Sequence, residues 1–393
     1  MRRLAAIVLF AAAGIGHVGA SRAGGEPVQD WQSTGSIERH FTSNALDSDR
    51  PVSDWYTLMR GTLQRQFGED DAKLTLSGEL QASRYDQISI EDDRALLLAA
   101  EAFRRFGAAV ELRGTLSYRV AREGDDLSIG PLTLGTATAK QVLTGQLQLG
   151  LNLGKATTLI LEASDSVENV GRTHFQHDIL PATRLDPDRD KRRFAARLTR
   201  TAGRLAFGGS ASALLVSVEE LGTPPVGLSF AQYGLRAEAV MTGEDGSTLG
   251  LALGAELLRT SVNGLYSKVR PEWQLTASKP LPLGFELRGA WFGRYETADS
   301  DDPLASWLQR AEVETSLKLR EDLVLAAGVF RENKRNLLFE NDERGHGFFA
   351  EATYKASGKL HIVARVDFSR TFKTVVDIRE ETTDIFIAMR SRL

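Results

Sequence analysis

Between Val110 and Val120 every second residue is apolar or small. Val110, Leu112, Gly114, Leu116, Tyr118 and Val120 fall on one side of an extended chain, and Glu111, Arg113, Thr115, Ser117 and Arg119 on the other. Side chains of a β-strand alternate between its two faces, so this period of two predicts a strand with one apolar and one charged face. Leu143, Gly145, Leu147, Leu149, Leu151 and Leu153 repeat the pattern against Gln146, Gln148 and Asn152. Leu283, Phe285, Leu287, Gly289, Trp291, Gly293 and Tyr295 do so against Glu286, Arg288, Arg294 and Glu296. A soluble sheet with one wet face alternates in the same way. Here, however, roughly seventeen such segments follow one another from about residue 55 to Leu393 with hardly any helical stretch between them. That train is the mark of an all-β, antiparallel transmembrane barrel, whose strands turn apolar residues to lipid and polar ones to the lumen.

The connections between segments alternate in length. Tight ones fall at Gly68 to Asp71, Phe106 and Gly107, Gly154 and Lys155, Ala202 and Gly203, Thr242 to Ser247, Lys279 to Pro282, Arg320 to Asp322, and Ser357 and Gly358. Longer or more polar ones lie between them, at Asp86 to Asp93, Glu123 to Ala139, Val167 to Lys191, Glu219 to Leu228, Thr297 to Ala305, Asn333 to Arg344 and Thr374 to Thr383; Val262 to Leu265 is short where a long one is due. Outer-membrane barrels carry short periplasmic turns, long external loops and an even number of strands. If the tight turns are periplasmic, the strand from Trp55 to Phe67 runs inward, and an outward strand must precede it. Ser33 to Thr42 is the candidate, giving about 18 strands, with 16 as the alternative. A barrel of that size is too wide for side chains to fill and leaves an aqueous passage.

Arg2 and Arg3 precede an apolar run from Leu4 to Ala13, and small residues at Val18/Ala20 or Ser21/Ala23 offer cleavage sites, so residues 1–23 read as a signal peptide and 24–393 as one barrel domain. No later stretch is long and apolar enough for a membrane-spanning helix. The chain has no cysteine, which removes disulfides and zinc–thiolate chemistry together. A mean hydropathy of −0.21 suits a protein in which only alternate residues meet lipid. Forty-eight basic against fifty-two acidic residues give no electrostatic footprint for nucleic acid. The partners expected are outer-membrane lipid and lipopolysaccharide, the barrel-assembly machinery and, for an exporter, polysaccharide-export components; no cofactor is expected.

The stretch TSNALDSDRPVSDWYTLMRGTL, from Thr42 to Leu63, followed by SRYDQISIEDDRALLLAAEA, from Ser83 to Ala102, resembles the β-barrel porin 2 family. The matching residues are Asn44, Ser53, Asp54, Tyr85, Glu91, Asp92 and Asp93, and the match covers the first quarter of the chain. The resemblance implies an outer-membrane barrel of a Gram-negative bacterium, with a link to exopolysaccharide synthesis or export in some relatives. The chain departs from the usual barrel ending in closing on Leu393 rather than an aromatic residue.

Residues expected to line the channel are Glu111, Arg113, Arg119, Arg236, Glu238, Arg270, Glu272, Arg288, Arg294, Arg310, Glu312, Glu314, Lys318, Arg365 and Asp367. Rings of one sign would select an ion; this mixture reads as a weakly selective wall, or as cross-strand pairs that satisfy one another. His174, His177, Asp178, Asp186, Asp188 and Asp190 sit in the long connection before Lys191, but lack the glycine and terminal glutamate of a calcium loop, so a solvated loop is expected and no metal. Trp31, Trp55, Tyr56, Tyr85, Tyr118, Tyr233, Trp273, Trp291, Tyr295, Trp307 and Tyr354 are expected at the membrane interfaces. His346 and His361 lie in no lipase motif, and no GxSxG occurs, which argues against an enzyme. The sequence thus predicts a porin-like passive channel for small hydrophilic solutes. Polysaccharide export is the alternative, and a lipid-modifying enzyme or a structural barrel is less favoured.

Overall fold

A computed structural model describes residues 31–392 apart from 47–50, 130–131, 177–178, 222–227, 263–264, 298–303, 338–341 and 375–377. The segment read as a signal peptide lies outside the described residues.

Alternation produces the strands where it was legible: β1 (Gln32–Thr42), β2 (Asp54–Glu69), β3 (Ala72–Tyr85), β4 (Arg94–Phe106), β5 (Val110–Ile129), β6 (Leu132–Gly154), β7 (Thr157–Phe175), β8 (Arg189–Ala202) and β9 (Leu205–Val218). They continue as β10 (Phe230–Thr242), β11 (Thr248–Thr260), β12 (Ser267–Pro280), β13 (Phe285–Glu296), β14 (Ser306–Arg320), β15 (Leu323–Asn336), β16 (Asp342–Lys355), β17 (Leu360–Lys373) and β18 (Ile378–Arg392). Each pairs antiparallel with its neighbours in sequence, and β1 pairs with β18, so the eighteen strands close into one barrel and the sixteen-strand alternative falls. Closure removes the edges that would leave backbone groups unpaired in lipid. Among the described residues no helix is long and apolar enough to cross a membrane, which bears on helices alone.

One end of the barrel carries the tight turns, where Gly107 and Gly203 adopt positive φ that other residues resist; the first residues of β1 and the last of β18 lie at that end. Following the register around the ring, Leu80, Leu98, Leu235, Val269, Val329 and Ile387 share the outer face and stay exposed, as a lipid-facing surface must.

The closing seam is fastened on the inner face near the long-loop end. His40 stacks between Tyr56 (4.5 Å) and Phe386 (4.6 Å), its Nε2 lies 3.1 Å from Glu38, and Tyr56 stacks on Tyr85 at 4.7 Å. Tyr56 and Tyr85 therefore leave the interfacial belt expected of them. The register puts them inside because the polar face of β2 begins at Asp54.

Several connections expected as loops contain strand, among them Asn333 to Asn336 of β15, Asp342 to Arg344 of β16 and Ile378 to Thr383 of β18. Glu123 to Ile129 and Leu132 to Ala139 are the outward extensions of β5 and β6, and Val167 to Phe175 belongs to β7. Polar and small residues hid these strands, because the hairpin is covered by other loops rather than by lipid. An added Cβ on Gly124 would stand 2.5 Å from Glu91 Cα, and one on Gly135 would stand 2.4 Å from the Ile90 side chain. The β3–β4 loop thus docks in two glycine hollows, while Thr136, Thr138, Thr173 and Phe175 are buried as well.

The residues that carried the resemblance in the sequence, Asp54, Asp92 and Asp93 foremost, organise this docking. Asp54, 2% exposed, accepts hydrogen bonds from the backbone N–H groups of Trp55 (2.7 Å), Gln87 (3.0 Å) and Ile88 (2.9 Å). Asp92 accepts from Tyr85 N (2.8 Å) and Asp93 from Gly124 N (2.7 Å), while Asn44 and Glu91 are buried and Ser53 is exposed. Their work is to hold the loop, a structural one.

Candidate channel lining and constriction

At the long-loop end the β12–β13 ladder stops early. Its last pair is Trp273 with Gly293, yet β13 continues with β14 as far as Glu296 opposite Ser306, and β12 continues with β11 to Ser267. Pro271 stands in β12 where the ladder to β13 has already stopped. Proline cannot donate to a ladder and belongs where a strand lacks a neighbour.

The freed end of β13 turns into the lumen. Glu256 belongs to β11, two strands away, and its carboxylate accepts from Tyr295 N at 3.0 Å and from Gln232 Nε2 at 2.9 Å. That reach is possible only if Tyr295 lies over the inner face of β12. The Tyr295 hydroxyl donates to the Lys268 carbonyl (3.2 Å), so groups left bare by the open ladder are again bonded. Trp273 fills the wedge of the fork: its indole lies over the missing Cβ of Gly293 and 5.9 Å from the ring of Trp307. Above it Tyr295, Trp307, Leu304 and Ala305 pack against Val216, Phe230 and Leu258, all inner-face residues of β9 to β11. Tyr295 and Trp307 are only 4% and 5% exposed. The expectation of interfacial positions for them is corrected: the alternation is real, but their strand has left the wall, so the outward-pointing face of the hairpin packs on the inside of the barrel. Trp31, Trp55, Tyr118, Tyr233, Trp291 and Tyr354 remain exposed.

Beneath the hairpin lies a cavity of about 570 Å³, bounded by β6 to β12 on one side and by Arg294 to Thr297 on the other. Arg193, Arg197, Arg236, Glu256 and Glu272 line it.

The register places all fifteen proposed channel-lining residues on the inner face. Most are paired there. Arg236 crosses Gly254 of β11 to reach Glu272 (3.0 Å) and also approaches Glu238 (3.5 Å), which binds Arg197 (3.1 Å). Arg310 bonds Glu312 (2.9 Å) and Glu332 (3.3 Å) and lies over Phe330; Arg365 bonds Asp367 (2.7 Å) and Glu351 (3.3 Å) and lies over Phe349. Glu111 pairs with Arg105, Arg113 with Glu101, Arg119 with Glu123 and Arg288 with Glu286. Arg270 faces the Trp307 ring and Arg294 the Phe292 ring. Glu314 and Lys318 stand on the same inner face of β14. Glu256 and Pro271 were missed as parts of the constriction; Pro271 inside an alternating segment was the available signal.

Among the described residues no group of three or more histidines and carboxylates is arranged to hold a metal. His177 and Asp178 lie outside the described residues. Asp188 instead accepts from Val170 N at 2.7 Å and pairs with Arg184. His346 is on the outer face of β16, opposite Arg370, and His361 on the inner face of β17, opposite Lys355.

No family model and no curated protein matches the sequence. Solved structures match the fold. The copper transporter OprC aligns over 94% of this chain and 82% of its own with a TM-score of 0.57 and 9% identity. Pseudomonas aeruginosa OccK2 aligns over 93% and 98% with a TM-score of 0.53 and 12% identity, and has also been solved in complex with glucuronate. OccD1 aligns over 95% and 97% with a TM-score of 0.50 and 11% identity. At such identities the likeness is one of fold, that of an outer-membrane β-barrel.

Proposed function

We propose that the protein is an outer-membrane channel through which small hydrophilic solutes pass without energy input, with the tight turns in the periplasm and the long loops outside. The observation that carries this reading is a wet, charged inner wall narrowed by a hairpin that is itself anchored. An exposed lipid face with a polar inner face has one stable setting, a bilayer around water. The inner charges neutralise one another in pairs, so the wall attracts water without presenting a ring of one sign, and weak ion selectivity follows. The hairpin sets the passage beside a cavity sized for a small solute. The barrels of similar fold include OccK2 and OccD1.

Liposome swelling with the refolded protein and sugars of graded size tests this. Monosaccharides are expected to enter quickly and oligosaccharides slowly or not at all. Folded barrels that admit none of them would contradict the reading and leave a plugged exporter that opens only with a partner.

A further inference from the structure

On the outer face near the long-loop end, Arg94 of β4 and Arg122 of β5 are direct cross-strand partners. Residues so placed hold their Cβ atoms about 5 Å apart, and like charges there repel. Arg84 of β3 lies on the same face, two residues beyond Ala82, the partner of Arg94. Arg84 and Arg94 are exposed and have no hydrogen-bonded partner among the described residues. Arg122 spends one donor on the Asp92 carbonyl (2.9 Å).

The nearby carboxylates are already committed. Asp92 receives Tyr85 N, Asp93 receives Gly124 N, and Asp86 is bound by Arg39. Toward the barrel's middle the same face becomes apolar, with Leu80 63% and Leu98 49% exposed and Tyr118 four residues inward of Arg122. An aromatic ring at the interface with guanidinium groups just outside it matches the depth order of acyl chain and headgroup.

We infer that Arg84, Arg94 and Arg122 form a site for the phosphate groups of an outer-leaflet glycolipid, whose acyl chains lie along the apolar face of β3 to β5. The fork of a guanidinium fits phosphate oxygens, and an anion between Arg94 and Arg122 turns their repulsion into attraction. The ligand is a lipid rather than free phosphate because the cluster is continuous with the lipid-facing band. The inference rests on the outer-membrane reading above and extends it to one leaflet and one headgroup chemistry.

The test uses the full-length mature barrel, inserted in phosphatidylcholine vesicles, extracted and examined by native mass spectrometry. The probes are lipid A carrying two phosphates and its dephosphorylated form. Wild type should retain the phosphorylated lipid, and Arg94→Gln combined with Arg122→Gln should lower retention about tenfold, the effect of losing roughly one strong contact. Arg259→Gln, which removes an exposed outward arginine on β11, should not, and the dephosphorylated lipid should bind wild type weakly. Equal retention by wild type and the double variant, or of both lipids by wild type, would overturn the inference while the inserted barrel upholds the outer-membrane reading. A wild-type chain that does not insert in the vesicles would overturn both.

Discussion

Two hairpins leave the common rim of this barrel in opposite directions. The β5–β6 hairpin grows outward past the end of its ladder to β4 at Arg122 while keeping its ladder to β7 as far as Thr136 opposite Phe175, and its covering is brought by another loop, seated in the hollows of Gly124 and Gly135. The β13–β14 hairpin opens its ladder to β12 and packs on the inner wall. The difference lies in what replaces the lost partners. Outside, glycines let a loop approach backbone to backbone. Inside, a tryptophan fills the fork, a buried carboxylate takes the orphan N–H, and a proline stands where the ladder has ceased. Only the second arrangement alters the lumen, so one hairpin serves the mouth and the other the passage.

Removing the pin of the outer region should have the largest effect. Asp54→Ala removes a buried carboxylate that three N–H groups share, that of Ile88 buried and those of Trp55 and Gln87 half-buried, and should cost about 3–5 kcal/mol, within the range for breaking a buried charged network. Hydrogen exchange should rise at residues 86–93, and conductance should stay near wild type. Next comes Trp273→Ala, which empties the fork and should cost about 3 kcal/mol by loss of packing; thermal unfolding reports the cost, and conductance should rise and become noisier. Glu256→Ala leaves Tyr295 N without an acceptor, a cost of about 1–3 kcal/mol. It should loosen the constriction in the same direction, while Glu256→Gln, which keeps one acceptor, should do less.

The smallest effect is one of pH. Burial pushes the Asp93 carboxyl above its usual range, against the pull of its bond from Gly124 N. A carboxyl with a raised folded value favours the folded state when protonated, so docking of the β3–β4 loop should be firmest below the ordinary carboxylate range and weaken as pH rises through the folded value. Exchange at residues 86–93 should show this drift in wild type and lose it in Asp93→Asn.

The wall was legible because period two survives wherever one face meets lipid and the other water. Leu143 to Leu153 and Leu283 to Gly293 needed no more than that. Alternation says which residues share a face but not where a strand leaves its sheet, so Tyr295 and Trp307 kept the right parity and still ended up inside. The β5–β6 extension escaped because its covering is a loop, which lets Gly124, Gly135 and Thr136 stand where a lipid-facing strand would show leucine. The motif residues Asp54, Asp92 and Asp93 were visible as a pattern, but their bonds to backbone N–H groups of a neighbouring loop depend on a closeness no spacing reveals. The inner charges were found face by face, whereas their partners two strands away, such as Glu272 for Arg236 across Gly254, follow only from the ring.

On the channel reading proposed above, the inward hairpin narrows an open passage. Single-channel conductance in planar bilayers, compared between wild type and Glu256→Ala combined with Trp273→Ala, tests it most directly. Wild type should open steadily with weak selectivity, and the double variant should give distinctly larger openings. Equal conductance in two folded proteins, or none in either, would contradict it.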